Sequence, residues 1–332
     1  MTISQEQADW FSETFASLVS NVEKAVLGKR DVVELALICM LSEGHLLLED
    51  VPGTGKTSLA KALANTVQGR QSRLQFTPDL LPSDVTGTTI YNQRKGEFEF
   101  HPGPIFATIV LVDEINRASP KTQSALLEVM EEGRVSIDGV GHEVGSPFMV
   151  IATQNPVEQA GVYPLPEAQL DRFLMLTSLG YPDHDTTVAL LADAATRDRS
   201  GVVSPIITAS AVAQMAELAS GVHVDTAILS YVSRIAEETR THPQVKLGIS
   251  TRGCLSLVRT AKTMAVSRGR NHVIPDDVKA LAHPVLGHRV LLTADAEFGG
   301  TKPHQIIDGA LDAIAAPSDR GPALAGSRAA AR

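Results

Sequence analysis

The sequence predicts an α/β fold, a parallel sheet covered by helices, followed by a small helical domain. Three observations carry this. Apolar runs of strand length at Leu46–Leu48, Thr108–Val112 and Phe148–Ala152 are continuous rather than alternating, as in strands buried on both faces. Segments with helical periodicity separate them, which is the pattern of crossover connections. Beyond Pro182–Asp185 the periodicity is helical almost throughout.

A chain of 332 residues is long enough for two cores, and its 43% apolar and 20% charged content is that of an ordinary globular protein. A net charge of −9 argues against a surface built to hold nucleic acid non-specifically, while leaving room for a local basic groove. Cys39 and Cys254 lie in apolar, helix-like contexts, match no metal or redox spacing, and read as buried thiols. The stretch Met1–Trp10 has neither the basic nor the apolar region of a signal peptide, and no apolar run reaches membrane-spanning length. A soluble, cytoplasmic protein without membrane insertion is expected.

In order, Ser4 to Ala25 forms an amphipathic helix with Trp10, Phe11, Phe15, Leu18, Val19 and Val22 near helical spacing. Val26–Asp31 breaks it, and Val32–Leu41 is a second helix. The strand at Leu46 runs into a Gly-rich turn and a helix through Ser58–Ala64. Arg73–Phe76 is a short strand, and Thr77–Asp84 a loop with helix-start signals. Glu97–Phe100 alternates as a strand, His101–Phe106 turns, and Thr108–Val112 is the most apolar strand. After a helix at Lys121–Glu131, Gly133–Val144 reads as a hairpin with a Gly-rich tip. Phe148–Ala152, Leu165–Phe173 and Leu174–Leu176 complete the α/β part, giving a core over 1–184. Helices at 186–197, 209–220, 224–240, 251–268 and 275–286, a short strand at His288–Thr293 and a last helix at Pro303–Ala315 make the second domain, 185–315. The Ala-, Gly- and Ser-rich tail from Ala316 has nothing to bury and is expected to be disordered.

The turn carries the chemistry. Val51-Pro-Gly-Thr-Gly-Lys-Thr57 between strand and helix has the layout of a P-loop, in which backbone N–H groups and a helix N-terminus converge on phosphate oxygens. Lys56 would reach the β- and γ-phosphates and the Thr57 hydroxyl a Mg²⁺ ion. Gly53 and Gly55 permit positive φ and close approach. The nucleotide-binding set is thus Val51, Pro52, Gly53, Thr54, Gly55, Lys56, Thr57 and Ser58. One position departs from the strict pattern: Asp50 stands where a glycine is usual. Asp tolerates left-handed backbone, but its charge requires it to point away from a triphosphate or to pair with a cation. Asp113–Glu114, ending a buried strand, is the expected partner: Asp113 holds Mg²⁺ through water and Glu114 polarises the attacking water.

These segments, with Val110–Arg117, Ala152-Thr-Gln-Asn-Pro156, Leu165-Pro-Glu-Ala-Gln-Leu-Asp-Arg-Phe173 and Gly248-Ile-Ser-Thr-Arg-Gly253, resemble AAA+ ATPases of the MoxR family over residues from about 15 to 315. Gly133–Val144 resembles that clade's pre-sensor hairpin and Glu97–Phe100 its helix-2 insertion. The resemblance implies an ATP- and Mg²⁺-dependent ATPase. Asn155 would be the first sensor. Arg172 would be an arginine finger acting in trans on a neighbour's nucleotide. Arg252 would be a second sensor that brings the lid onto the γ-phosphate. Ser-Thr-Arg replaces the family's common Ser-Pro-Arg there, which loosens the helix start. Val26–Gly28 either packs on adenine or simply terminates a helix.

A finger in trans implies a homo-oligomeric ring, a hexamer by family habit. The family also implies a chaperone-like remodelling motor acting on protein complexes, with a von Willebrand factor A-domain partner. Two other motors share these parts, a magnesium-chelatase-like subunit and a nucleic-acid translocase. The second wants basic residues at the hairpin tip, where this chain has Asp138-Gly-Val-Gly-His142 and only Arg134 nearby, so nucleic acid is disfavoured. A nucleotide switch without turnover fits poorly with Lys56, Asp113 and Glu114 all present.

Overall fold

A computed structural model describes residues 3–51, 53–155, 161–192 and 199–317. Pro52, Pro156, the end of the helix expected at 186–197 and the tail from 318 lie outside the described residues. The chain runs through α1 (Gln5–Glu23), α2 (Arg30–Leu41), β1 (Leu46–Glu49), α3 (Lys56–Thr66), β2 (Gln71–Gln75) and α4 (Pro82–Thr86). There follow β3 (Gly87–Asn92), β4 (Glu97–Pro102), β5 (Ile109–Asp113), α5 (Pro120–Glu132), β6 (Arg134–Ile137), β7 (Val140–Glu143), β8 (Met149–Gln154), α6 (Glu167–Leu170) and β9 (Met175–Thr177). The remainder comprises α7 (His184–Ala192), α8 (Ala209–Ser220), α9 (Thr226–Thr241), β10 (Val245–Leu247), α10 (Thr251–Ser267), α11 (Pro275–Leu286), β11 (Leu291–Leu292), α12 (Ala294–Phe298) and α13 (Pro303–Ala313).

The central sheet has the order β2-β5-β8-β1-β9 with every pairing parallel. Its continuous apolar strands are buried on both faces, and alternate residues separate into two cores. Leu46, Leu48, Ile109, Leu111, Met149 and Ile151 pack with α1, α2, α3 and the helices beyond β9. Leu47, Val110, Val112, Val150 and Ala152 pack instead with Leu126, Leu127 and Met130 of α5. The period of two along each strand therefore assigns each residue to a layer.

The N-terminal helices tie the sheet to the helical part. The Ser12 hydroxyl donates to Ser267 O at 3.0 Å, and the Ser42 and Thr263 hydroxyls share a buried hydrogen bond of 2.7 Å. Helix α1 starts on a capping box between Ser4 and Gln7. Its buried face is Ala8, Phe11, Phe15, Leu18, Val19 and Val22, whereas Trp10, expected with them, is turned to solvent. Among the described residues no helix is long and apolar enough to cross a membrane. Cys39 is buried, and desolvation pushes its thiol far above the usual range; Cys254 is only half-buried, short of the burial expected for it.

Two hairpins leave the sheet. β3 and β4 pair antiparallel from Gly87↔Pro102 to Asn92↔Glu97, which gives the strand expected at Glu97 a partner that local periodicity did not reveal. β6 and β7 turn through Asp138 (φ 50°) and Gly139 (φ 81°), the Asp-Gly pair that tight hairpins favour. Phe100 and His142 stack at 3.9 Å, holding the two hairpins together. β10 and α12 are further elements not expected from local periodicity.

Candidate nucleotide site and the arginines outside it

The ends of β1, β5 and β8 open into a cleft of about 250 Å³ lined by Asp50, Gly53–Thr57, Arg73, Gln75, Asp113, Glu114, Thr153 and Asn155. Ligands of parallel α/β sheets bind outside such carboxyl ends. The turn after β1 passes through Gly53 (φ 88°) and Gly55 (φ 96°), backbone that a side chain would strain. A Cβ at either glycine would meet nothing within 4 Å, so the loop curls around open space. Helix α3 then begins at Lys56, its first N–H groups lacking intrahelical acceptors. The Lys56 ammonium donates to Val51 O at 2.9 Å and Asp50 O at 3.3 Å. Thr57 and Ser58 follow in the first turn.

Asp50 resolves the charge problem posed by its position. Its carboxylate accepts from Leu179 N at 2.7 Å, Gly180 N at 2.9 Å and the Ser178 hydroxyl at 3.0 Å. The residue is 4% exposed. Its charge is spent on the chain just after β9, not aimed at a ligand.

Asp113 and Glu114 stand at the opposite wall. The Arg73 Nε donates to Asp113 Oδ2 at 2.7 Å, and the Thr153 hydroxyl donates to Oδ1 at 3.4 Å. The same hydroxyl accepts from Glu114 N at 3.0 Å. Glu114 has φ 57°, ψ 52°, a left-handed conformation for a residue with a side chain, at a strain cost of order 1–3 kcal/mol. Its carboxylate takes Gln75 Nε2 at 2.9 Å and Arg117 Nε at 3.0 Å. The donors fit a magnesium-nucleotide: a hydroxyl at Thr57 would supply a hard oxygen ligand, and the nearly buried carboxylate at Asp113 would hold the ion through its retained water.

Arg172 and Arg252 are not in this cleft. They line a second cavity, of about 270 Å³, with Arg259, Arg289, Glu131 and Asp171. Arg172 donates to Leu127 O at 2.7 Å and meets Glu131 Oε2 at 3.1 Å; Arg252 meets Glu131 Oε1 at 3.0 Å. One carboxylate thus holds both guanidiniums. Arg252, expected as the second sensor, lies outside the cleft, paired with Glu131 and, at 3.8 Å, with Asp171. Beneath them Arg289, 6% exposed, pairs with Asp171 Oδ1 at 2.7 Å and donates to Phe173 O at 2.7 Å. Burial pulls its pKa down against the support of Asp171.

Sequence reasoning named neither Arg73, Gln75 and Thr153 in the cleft nor Glu131 and Arg289 outside it. The alternation Arg73-Leu-Gln-Phe76 was a usable signal, since Leu74 and Phe76 are buried and leave Arg73 and Gln75 on the other side. Gly28 (φ 68°) lies against Thr186, where a Cβ would come within 2.6 Å of its hydroxyl. That contact suits a turn pressed on the start of α7.

The family described as "ATPase family associated with various cellular activities (AAA)" matches residues 45–175, and the AAA lid domain matches residues 237–309. The chain is 46% identical over 302 residues to YeaC of Bacillus subtilis (strain 168), spanning 91% of this chain and 94% of that protein. It is 41% identical over 317 residues to "Chaperone MoxR1" of Mycobacterium tuberculosis, spanning 92% and 82%. A crystal structure from Cytophaga hutchinsonii superposes with a TM-score of 0.88 at 37% identity, covering 94% of this chain and 98% of that one.

Proposed function

Because this chain belongs to the MoxR family of AAA+ ATPases, with an AAA core followed by a lid, we propose that it hydrolyses ATP as a ring and uses the turnover to remodel partner proteins. The observation that carries the reading is the division of the machinery. The P-loop, Asp113, Glu114 and Asn155 share one cleft, while Arg172 and Arg252 are gathered in another.

Each residue takes a role within that reading. Val51–Ser58 cradle the phosphates, and Lys56 exchanges two backbone carbonyls for phosphate oxygens. Thr57 and Asp113 hold Mg²⁺, which neutralises phosphate charge when bound. Glu114 orients and polarises the attacking water, and its left-handed backbone is strain of the kind that gathers at functional positions. Asn155 senses the γ-phosphate. Arg172 completes the site of a neighbouring subunit, and Arg252, here held by the same Glu131, is the second sensor that brings the lid onto the γ-phosphate. Fingers of this kind are worth roughly 10³–10⁵ in rate, or about 4–7 kcal/mol of barrier.

The name of the mycobacterial relative supports a chaperone-like role, and family habit supports a hexamer, a von Willebrand factor A-domain partner and a cytoplasmic setting. The domains are taken as 1–184 and 185–315. Hydrolysis per subunit, measured against protein concentration with the assembly state followed by light scattering, tests the proposal. The specific rate should rise as rings form, and Lys56→Ala should no longer bind ATP. Full turnover by a persistent monomer would overturn it.

A further inference from the structure

Asp113 already has a cation. Arg73 reaches its Oδ2 at 2.7 Å, while the Thr153 hydroxyl donates to Oδ1 at 3.4 Å. The pairing follows from sheet geometry. β2 lies beside β5 with Arg73 opposite Leu111 and Gln75 opposite Asp113, so the two exposed β2 side chains lean over the carboxyl end of β5. The same carboxylate is the one the nucleotide-site reading assigns to Mg²⁺. A guanidinium and a divalent ion on one nearly buried carboxylate repel each other, and Arg73 is attached by a long, half-exposed side chain that can swing away.

We propose that Arg73 and Mg²⁺ are alternative counter-ions of Asp113, so that metal entry to the nucleotide cleft displaces the Arg73–Asp113 ion pair. The inference rests on the assignment of this cleft to a magnesium-nucleotide. Arg73 acts through Asp113 and is a positioning residue. The pair is partly exposed, so its hold on Asp113 is modest. Removing the guanidinium therefore tightens metal binding by roughly two- to fivefold, the range that such a pair can contribute to a competing equilibrium.

The test is Mn²⁺ binding, read from the free-ion electron paramagnetic resonance signal, with full-length protein saturated by a non-hydrolysable ATP analogue. Arg73→Met, which keeps the aliphatic stem, should bind Mn²⁺ two- to fivefold more tightly. Arg73→Lys, which keeps a charge without the guanidinium fork, should fall between it and the parent. In an Asp113→Asn background, Arg73→Met should change nothing, because the contested carboxylate is gone. Weaker Mn²⁺ binding in Arg73→Met would overturn the proposal by making Arg73 an organiser of the metal site; unchanged binding would overturn it by making Arg73 a bystander. Analogue binding to the parent protein is measured first: its failure sinks the nucleotide assignment, whereas its success with an indifferent Arg73 sinks only the competition.

Discussion

Replacing Asp50 by Ala removes a carboxylate at the head of the P-loop that satisfies two backbone N–H groups and one hydroxyl. Leu179 is buried, so its N–H cannot turn to water once the acceptor is gone. A stranded buried donor costs about 1–3 kcal/mol, and hydrogen bonds to an ionised acceptor lie at the upper end. Gly180 is half-buried and Ser178 exposed, so both recover part of their loss from solvent. About 3 kcal/mol of destabilisation is the expected sum. For a cooperative unit of 150–250 residues this lowers Tm by about 6–12 °C.

Nucleotide affinity distinguishes this account from its rival. Were Asp50 mainly a negative charge facing the triphosphate, its removal would tighten ATP binding. The hydrogen bonds say instead that Asp50 anchors the turn to residues 178–180, so loosening it should weaken ATP binding. Differential scanning calorimetry and titration with a fluorescent ATP analogue, on Asp50→Ala and Asp50→Asn, read both quantities. A Tm within 2 °C of the parent, or tighter ATP binding, would refute the reasoning.

Glu114→Gln should bind ATP yet turn it over at least a hundredfold more slowly, because an amide cannot polarise water; near-normal steady-state hydrolysis removes Glu114 from that role. Arg172→Ala should spare nucleotide binding and lower hydrolysis by about 10³ or more. Mixed rings with Lys56→Ala should regain some activity, and their failure to do so, once mixing is verified by mass spectrometry, counts against action across an interface. His45 is buried between Met130 O at 2.9 Å and Val150 N at 3.0 Å, and burial, with the positive Arg259 adding to it, lowers its pKa to about 4. Its folded value lies below the unfolded value of about 6.5, so folding stability is retained above pH 6.5 and lost as pH falls toward 4, by up to about 1.4 kcal/mol per pH unit. His45→Gln, whose amide can keep both backbone bonds, should flatten the Tm–pH slope in that window; an unchanged slope would exonerate His45.

What was legible in the sequence was local. A strand, a turn with glycines at fixed offsets and a helix start lie within about a dozen residues, and Asp113–Glu114 follows directly from the strand that buries its predecessors. Continuous apolar strands announced a parallel sheet because burial on both faces leaves no polar alternation. The rest depends on long-range pairing. Asp50 meets residues 128–130 positions away, and Arg252 meets Glu131 from 121 positions away. Arg73 reaches Asp113 only because β5 sits next to β2, and strand order is not written in either strand. The exposed side of Trp10 shows the limit of helical spacing, since a wide apolar stripe does not say where its edge lies.

Magnitudes bear on whether Glu131 could keep Arg172 and Arg252 from acting elsewhere. Both guanidiniums are partly exposed, and Glu131 is 45% exposed, so each pair is screened and worth at most about 1 kcal/mol. An arginine finger contributes about 4–7 kcal/mol in a transition state. If Arg172 acts as the proposed finger, that transition-state contribution outweighs its Glu131 ion pair, and its further hydrogen bond to Leu127 O at 2.7 Å must be exchanged as well. Arg289 is the contrast: buried, paired with Asp171 and bonded to several carbonyls, it would leave a stranded charge and unsatisfied acceptors if it moved. The cavity therefore combines a fixed floor with two arginines at its rim that are held by partly exposed ion pairs.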